Sequence, residues 1–204
     1  MPGARLWVER LRSPLAGPFD LTLAAGECVA VSGESGSGKS LFLRMIADLD
    51  PHEGEVSLDG VARAAMTPPA WRKRVAYLAA ESGWWLDQVA DHFDDVPAAR
   101  ALAGRLGLKP ELIDGAVLRL STGEKQRLAL IRTLLKAPPV LLLDEPTGPL
   151  DSASVLLMEA VLRERLAAGT AIVLVSHDPA QAGRMAHRRF VMQAGRLHPE
   201  PVAA

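Results

Sequence analysis

Short apolar runs alternate along the chain with longer segments in which apolar residues recur at helical spacing. The run at residues 140–143 has no polar position, which is typical of a strand buried on both faces of a parallel sheet. Alternation of strands and helices predicts crossover connections, and so an α/β fold. The predicted strands cover residues 6–8, 19–23, 27–32, 55–58, 75–78, 140–143, 171–175 and 190–192.

Glycine residues mark the ends of two predicted helices. The helical pattern of residues 102–106 stops at Gly107, and that of residues 152–168 stops at Gly169. Glycine most readily adopts the left-handed conformation that ends a helix. These signals predict helices that end one residue before each glycine.

The segment 84–136 has helical patterns and no convincing strand. We interpret it as a helical lobe inserted into a sheet core made of residues 1–83 and 137–204, all within a single domain of residues 1–204. Thr67-Pro68-Pro69 indicates a loop ahead of the lobe.

Composition narrows the possible partners. The 204 residues are 49% hydrophobic and 23% charged, enough apolar material for a substantial core. A net charge of −1 and a pI near 6.5 argue against a strongly basic surface for nucleic acid or anionic lipid. The sequence has no secretory leader pattern and no run of about 20 apolar residues, so we expect a cytoplasmic protein. Cys28 lies in an apolar run and is expected to be buried.

A glycine-rich motif between a predicted strand and a helical pattern at residues 41–49 matches G-x-x-x-x-G-K-S. Glycines let backbone N–H groups converge on phosphate oxygens, and the following helix directs its positive end at the same anion. We predict that Lys39 neutralises the β- and γ-phosphates and that Ser40 ligates Mg²⁺. The nucleotide-binding residues are predicted to be Gly33, Glu34, Ser35, Gly36, Ser37, Gly38, Lys39, Ser40 and Leu41.

Two carboxylates, Asp144 and Glu145, follow the apolar run at residues 140–143. Ligands of α/β sheets bind at the carboxyl ends of strands. Alone, such a pair is more often a helix cap or a solvated turn. Together with the phosphate loop it predicts that Asp144 holds Mg²⁺ and that Glu145 polarises the attacking water as general base.

A third motif, Leu120 to Arg127, opens a helix with Leu128, Ile131 and Leu135 on one face. Ser121 and Glu124 form a capping-box pattern, which can stabilise a helix start without any ligand. A helix start that contains glycine is also an anion site, so both interpretations hold.

These motifs, followed by Gly148-Pro149-Leu150-Asp151 and Ser176-His177-Asp178, resemble the ABC ATPase family in order and spacing. The resemblance implies a phosphate-loop NTPase of the RecA-like type, with an antiparallel β region and an inserted helical subdomain. It further implies hydrolysis of MgATP in a head-to-tail homodimer, in which Ser121 and Gly123 contact the ATP held by the partner's Lys39. His177 would contact the γ-phosphate in its own subunit, and Lys39, Glu145 and His177 would be the catalytic groups.

Three features of the sequence depart from the family pattern. Ala80 stands where the family has a glutamine, and the neighbouring Glu81 is a candidate substitute. Thr122 and Glu124 stand in the signature where Gly and Gln are commonest. Neither Trp7 nor Phe19 falls clearly where an aromatic residue stacks on adenine, so loose base selectivity is expected.

The resemblance also implies a partner, a separate transmembrane permease, which would hold the subunit at the inner face of the cell membrane. Trp84-Trp85 lies where the family docks its permease, although core packing explains the pair equally well. The alternative function is a soluble ABC ATPase acting on nucleic acid or ribosomes. That class usually carries paired cassettes, coiled-coil insertions or basic extensions, and none is evident here.

Overall fold

The computed structural model describes residues 3–200, which form two β-sheets and six α-helices. The strands are β1 Ala4–Ser13, β2 Ala16–Ala24, β3 Cys28–Ser32, β4 Glu53–Leu58, β5 Val61–Ala62, β6 Val75–Leu78, β7 Val140–Asp144, β8 Ala171–Val175, β9 Arg188–Gln193 and β10 Arg196–Glu200. The helices are α1 Lys39–Ile46, α2 Pro68–Arg74, α3 Val96–Arg105, α4 Thr122–Leu134, α5 Ser152–Ala167 and α6 Pro179–Met185. None of these helices is long and apolar enough to cross a membrane.

The larger sheet has the order β10-β9-β3-β8-β7-β6. Its strands are parallel except for β10, which pairs antiparallel with β9. The smaller sheet, β2-β1-β4-β5, is antiparallel throughout. The predicted α/β class with an antiparallel region is therefore confirmed.

Both faces of the larger sheet are buried at its central strands β3, β7 and β8, which explains why residues 28–31, 140–143 and 171–175 include no charged or polar side chain apart from the buried thiol of Cys28. In β7, Leu141 and Leu143 face a core shared with α4 and α5, whereas Val140 and Leu142 face a second core shared with α1 and the smaller sheet. Cys28 is fully buried, and burial raises the pKa of its thiol to about 12, which leaves the side chain unreactive at neutral pH.

The structure corrects several boundaries. Thr67-Pro68-Pro69 is no loop: the Thr67 hydroxyl accepts a hydrogen bond from Ala70 N at 3.4 Å and caps α2, whose first turn holds both prolines. Proline is favourable there because its missing N–H would be unpaired in any case. The sequence interpretation also missed β5 and β10, which are short or polar edge strands with no apolar run.

Between β6 and β7, the described chain forms α3, α4, short 3₁₀ turns and one isolated bridge between Gln88 and Ala116. The two helix-ending glycines both adopt positive φ, 69° at Gly107 and 93° at Gly169. The first of these helices begins earlier than its apolar pattern, because Asp95 caps it through Ala98 N at 2.9 Å.

Candidate nucleotide-binding site

Three adjacent parallel strands bring the predicted site residues to one edge of the larger sheet. Val175 of β8 pairs with Val31 of β3 on one side and with Asp144 of β7 on the other. Parallel neighbours end at the same edge, so the segments that follow these strands meet there. Those segments are the glycine-rich loop, Glu145 and His177.

The glycine-rich loop has the backbone conformation its sequence predicts. Gly33, Gly36 and Gly38 have φ values of 140°, 77° and 107°, a region that favours glycine. Gly38 precedes α1 without any side-chain cap, so the first N–H groups of the helix stay open to an anion. Lys39 is buried, and its Nζ donates hydrogen bonds to the carbonyl oxygens of Gly33 and Glu34, both at 2.8 Å.

Gly33 is also required by a close contact. A Cβ added there would lie 2.4 Å from the carbonyl oxygen of Met192 on β9. We expect Gly33→Ala to cost about 1–3 kcal/mol from backbone strain alone and to lower Tm by several degrees in thermal unfolding. Gly83→Ala is the matched control, because nothing lies within 4 Å of its added Cβ. Equal melting temperatures for the two variants would contradict the close contact.

A cleft of about 650 Å³ lies beside the loop. Its lining combines the phosphate loop with residues from two hairpin turns: Leu15, Ser35, Gly36, Ser37, Gly38, Lys39, Ser40, Leu41, Glu145, Ala194 and Gly195. Leu15 is 84% exposed. Phe19 is buried in the core, and neither Phe19 nor Trp7 lines the cleft. The sequence interpretation missed Leu15, Ala194 and Gly195, since only the packing of the two sheets places their turns there.

Asp144 is buried at the end of β7, and the hydroxyl of Tyr77 on β6 donates a hydrogen bond to its Oδ2 at 2.9 Å. Burial, followed by the nearby negative charge of Asp144, raises the pKa of Tyr77 well above its usual range. Tyr77 therefore stays protonated and remains a donor to the carboxylate. The parallel register of β6 and β7 is the signal that could have identified Tyr77.

Glu145 and His177 form the central polar contact of the site, with His177 Nε2 and Glu145 Oε1 2.8 Å apart. Glu145 has a φ of 46°, unusual for this residue type, and its N–H donates to Val175 O at 3.0 Å. The strained backbone turns the side chain away from the strand and toward the cleft. Glu145 lines both the cleft beside Lys39 and a second cleft of about 630 Å³, whereas His177 lines only the second, with Leu150, Leu156 and Arg184.

Ser121 and Gly123 lie elsewhere. The predicted capping box is present: Ser121 N donates to Glu124 Oε2 at 2.8 Å, and Glu124 N donates to Ser121 Oγ at 3.3 Å. A Cβ on Gly123 would lie 3.1 Å from Pro149 O, so this helix start packs against the segment after Glu145. Neither Ser121 nor Gly123 lines the cleft that contains Lys39.

The segment around Ala80, where the family has its glutamine, is hydrogen-bonded to a different glutamine on α4. Gln126 on α4 is buried, and its Nε2 donates to Ala79 O at 3.0 Å. Ala80 and Glu81 are exposed, and neither lines the cleft beside Lys39.

Trp84 and Trp85 differ in burial although they are neighbours. Trp84 packs against the core, whereas Trp85 is 68% exposed. The centres of both rings lie 4.7 Å from the centre of the His92 ring, in edge-on geometry. The Arg132 guanidinium lies 5.0 Å from the ring centre of Trp84 and 4.5 Å from that of Trp85. His92 Nε2 accepts hydrogen bonds from the N–H groups of Trp85 and Leu86, each at 3.2 Å, which fixes the loop.

The ABC transporter family model matches residues 17–148. The chain belongs to the ABC transporter family. The cassette is 38% identical over 202 residues to the lipoprotein-releasing system ATP-binding protein LolD of Bordetella pertussis, covering 88% of this chain and 85% of that protein. It is 36% identical to the aliphatic sulfonates import ATP-binding protein SsuB 1 of Rhizobium johnstonii, covering 90% of this chain and 72% of that protein.

The fold has close solved counterparts. A dimeric structure of a bacterial ABC transporter cassette superposes with a TM-score of 0.84 at 22% identity, covering 98% of this chain and 99% of that one. The cassette is thus an ATP-binding, ATP-hydrolysing subunit of an ABC transporter. The alternative of a soluble ATPase acting on nucleic acid or ribosomes receives no support from these relatives.

Proposed function

We propose that the cassette binds ATP in the cleft beside Lys39 and hydrolyses it with Glu145 as general base and His177 as its partner. The observation that carries the proposal is the shared edge of β3, β8 and β7, where the phosphate loop lies beside a Glu145–His177 contact of 2.8 Å. Phosphoryl transfer needs little covalent chemistry from the protein, so positioning of water and charge accounts for most of the catalysis.

The donor set at this edge fits Mg²⁺. Ser40 offers a hydroxyl and Asp144 a carboxylate, and oxygen atoms are the ligands this ion prefers. The hydrogen bond from Tyr77 occupies Oδ2 of Asp144, and Oδ1 is the oxygen that we assign to the ion. When bound with the nucleotide, Mg²⁺ would neutralise phosphate charge, while Ser40 and Asp144 hold it in place.

The adenine base of ATP is proposed to lie against Leu15, whose exposed apolar side chain borders the same cleft. A leucine contributes apolar contact without the ring stacking of an aromatic residue. Weak preference between ATP and GTP follows from that contact.

We infer that a second copy completes the site. Ser121 and Gly123 do not line the cleft of their own chain, although the exposed start of α4 can bind an anion. The cleft beyond Glu145 is bordered by the 53%-exposed Leu156, which suits burial against a partner. ATP bound between two chains would then bring the partner's Ser121 and Gly123 to the nucleotide.

Light scattering during size-exclusion chromatography tests this arrangement with the Glu145→Gln protein, which should retain ATP. We expect the mass to rise from 21.8 kDa to about twice that value only when MgATP is present. A protein that binds ATP and stays monomeric would contradict the composite site.

The proposed partner is a separate permease, which would hold the cassette at the cytoplasmic face of the cell membrane. The similarity to LolD, itself an ATP-binding protein, over 85% of its length supports this arrangement. The exposed Trp85, together with Leu86 at 42% and Leu118 at 91% exposure, offers apolar surface on the helical region for the contact. The lobe limits of residues 84–136 remain part of this proposal.

The tryptophan pair provides a matched test of docking. We expect Trp84→Ala to destabilise the protein by roughly 1–3 kcal/mol, because it removes packing against the core. Trp85→Ala should leave Tm nearly unchanged and weaken co-purification with the permease when the two are expressed together. It should leave ATP hydrolysis by the isolated subunit near the wild-type rate. Loss of folding in Trp85→Ala, or unchanged co-purification, would assign Trp85 to packing instead.

A further inference from the structure

Helix α6 begins two residues after His177, so the position of the helix constrains the position of that histidine. Asp178 caps the helix, with its Oδ1 accepting from Ala180 N at 2.9 Å. Only Ala182 and Met185 contribute buried apolar side chains to the seven-residue helix. Apolar contact has little directionality, so this small patch does not by itself determine the orientation of the helix.

Polar contacts orient α6 at its carboxyl-terminal half. Arg184 donates hydrogen bonds to both carboxylate oxygens of Glu159 on α5, at 2.6 to 3.1 Å. The Glu159 side chain has 0% exposure, and Arg163 donates to it at 3.0 Å from the same helix. A buried carboxylate is costly without partners, and a two-pronged guanidinium contact has a narrow geometry. Glu159 therefore fixes Arg184 in one place.

A second contact anchors α6 to the segment that follows Glu145. Gln181 is buried, and its Oε1 accepts a hydrogen bond from the Thr147 hydroxyl at 3.1 Å. Thr147 lies two residues beyond Glu145. Arg184 also lies 3.9 Å from Asp178, next to His177. Polar contacts therefore link α6 to the segment that follows Glu145, through Gln181, and to the residue next to His177, through Arg184.

We propose that Glu159 is a positioning residue for ATP hydrolysis, which holds His177 against Glu145 through Arg184 and α6. This inference rests on the proposed function of Glu145 and His177. It assigns a task to a buried charge that contacts no nucleotide-binding residue. An apolar pair would fill the same space without specifying an orientation.

The double variant Glu159→Leu with Arg184→Leu tests the proposal, because it removes both charges and keeps apolar packing. Arg163→Gln is the control, since it also removes a Glu159 hydrogen bond but leaves α6 anchored. The ¹⁵N resonances of the His177 imidazole, assigned with a His177→Ala variant, report the contact with Glu145 independently of turnover. We expect them to shift in the double variant and stay in place in Arg163→Gln.

Turnover gives the second measurement. We expect kcat to fall about tenfold in the double variant, with KM for ATP unchanged, since sub-ångström misplacement is costly in catalysis. The same double substitution should have no further effect in a His177→Ala background. Unshifted His177 resonances in a folded double variant would overturn the positioning role. Unaltered kcat in His177→Ala alone would instead contradict the proposed role of His177 in hydrolysis. In that case the His177 resonances alone would decide whether Glu159 positions the histidine.

Discussion

Glu145→Gln is expected to lower the turnover of ATP by about 10²–10⁴-fold, the usual contribution of a positioned general base. Glutamine preserves the size of the side chain but cannot accept a proton from water. The phosphate loop and Lys39 are untouched, so ATP affinity should stay near the wild-type value. Phosphate release under saturating MgATP measures the first effect, and equilibrium dialysis with labelled ATP measures the second.

Glu164→Gln is a suitable comparison, because it removes one carboxylate charge from the exposed surface of α5, remote from the cleft lining. It should hydrolyse ATP at the wild-type rate. If Glu145→Gln turned over ATP as fast as this comparison protein, Glu145 would not be the base. A variant that had lost ATP binding as well would point to a structural effect of the strained backbone at this position.

Lys39→Met is expected to weaken ATP binding about 10- to 100-fold. Hydrogen bonds to charged groups contribute roughly 1.5–3 kcal/mol each, and 1.4 kcal/mol corresponds to a factor of ten. In the free protein, Lys39 Nζ bonds the carbonyl oxygens of Gly33 and Glu34, so its ammonium group already lies over the phosphate loop. Methionine has a similar length and no charge. Isothermal titration with ATP measures the affinity.

Loss of the same two bonds should also lower the thermal stability of Lys39→Met, because two loop carbonyls lose their partner. Lys109→Met provides the charge-matched control at an exposed position ahead of a 3₁₀ turn. It should bind ATP normally. Wild-type affinity in Lys39→Met would show that this lysine does not contribute to ATP binding and that the backbone N–H groups of the loop bind the phosphates without it.

Local signals in the chain predicted much of the proposed site. The glycine-rich motif and the two carboxylates after an apolar run depend on a few consecutive residues, and their backbone requirements are met within the same segment. The capping box of Ser121 and Glu124 is local for the same reason. Apolar runs likewise predicted eight of the strands in the α/β fold, whereas the two edge strands lack such runs.

The tertiary structure decided which of these segments meet. Apolar runs of similar composition can pair in several orders, and only packing selects β3, β8 and β7 as neighbours. Long-range contacts therefore revealed Tyr77 on Asp144, Leu15 at the cleft and the different burial of Trp84 and Trp85. The Glu159–Arg184 pair is of the same kind: 25 residues separate its members, and neither belongs to a motif. Sequence alone thus determined the class of fold and predicted the chemistry of the proposed site, while the three-dimensional packing determined which residues lie together there, because contacts between distant segments leave no periodic trace in the chain.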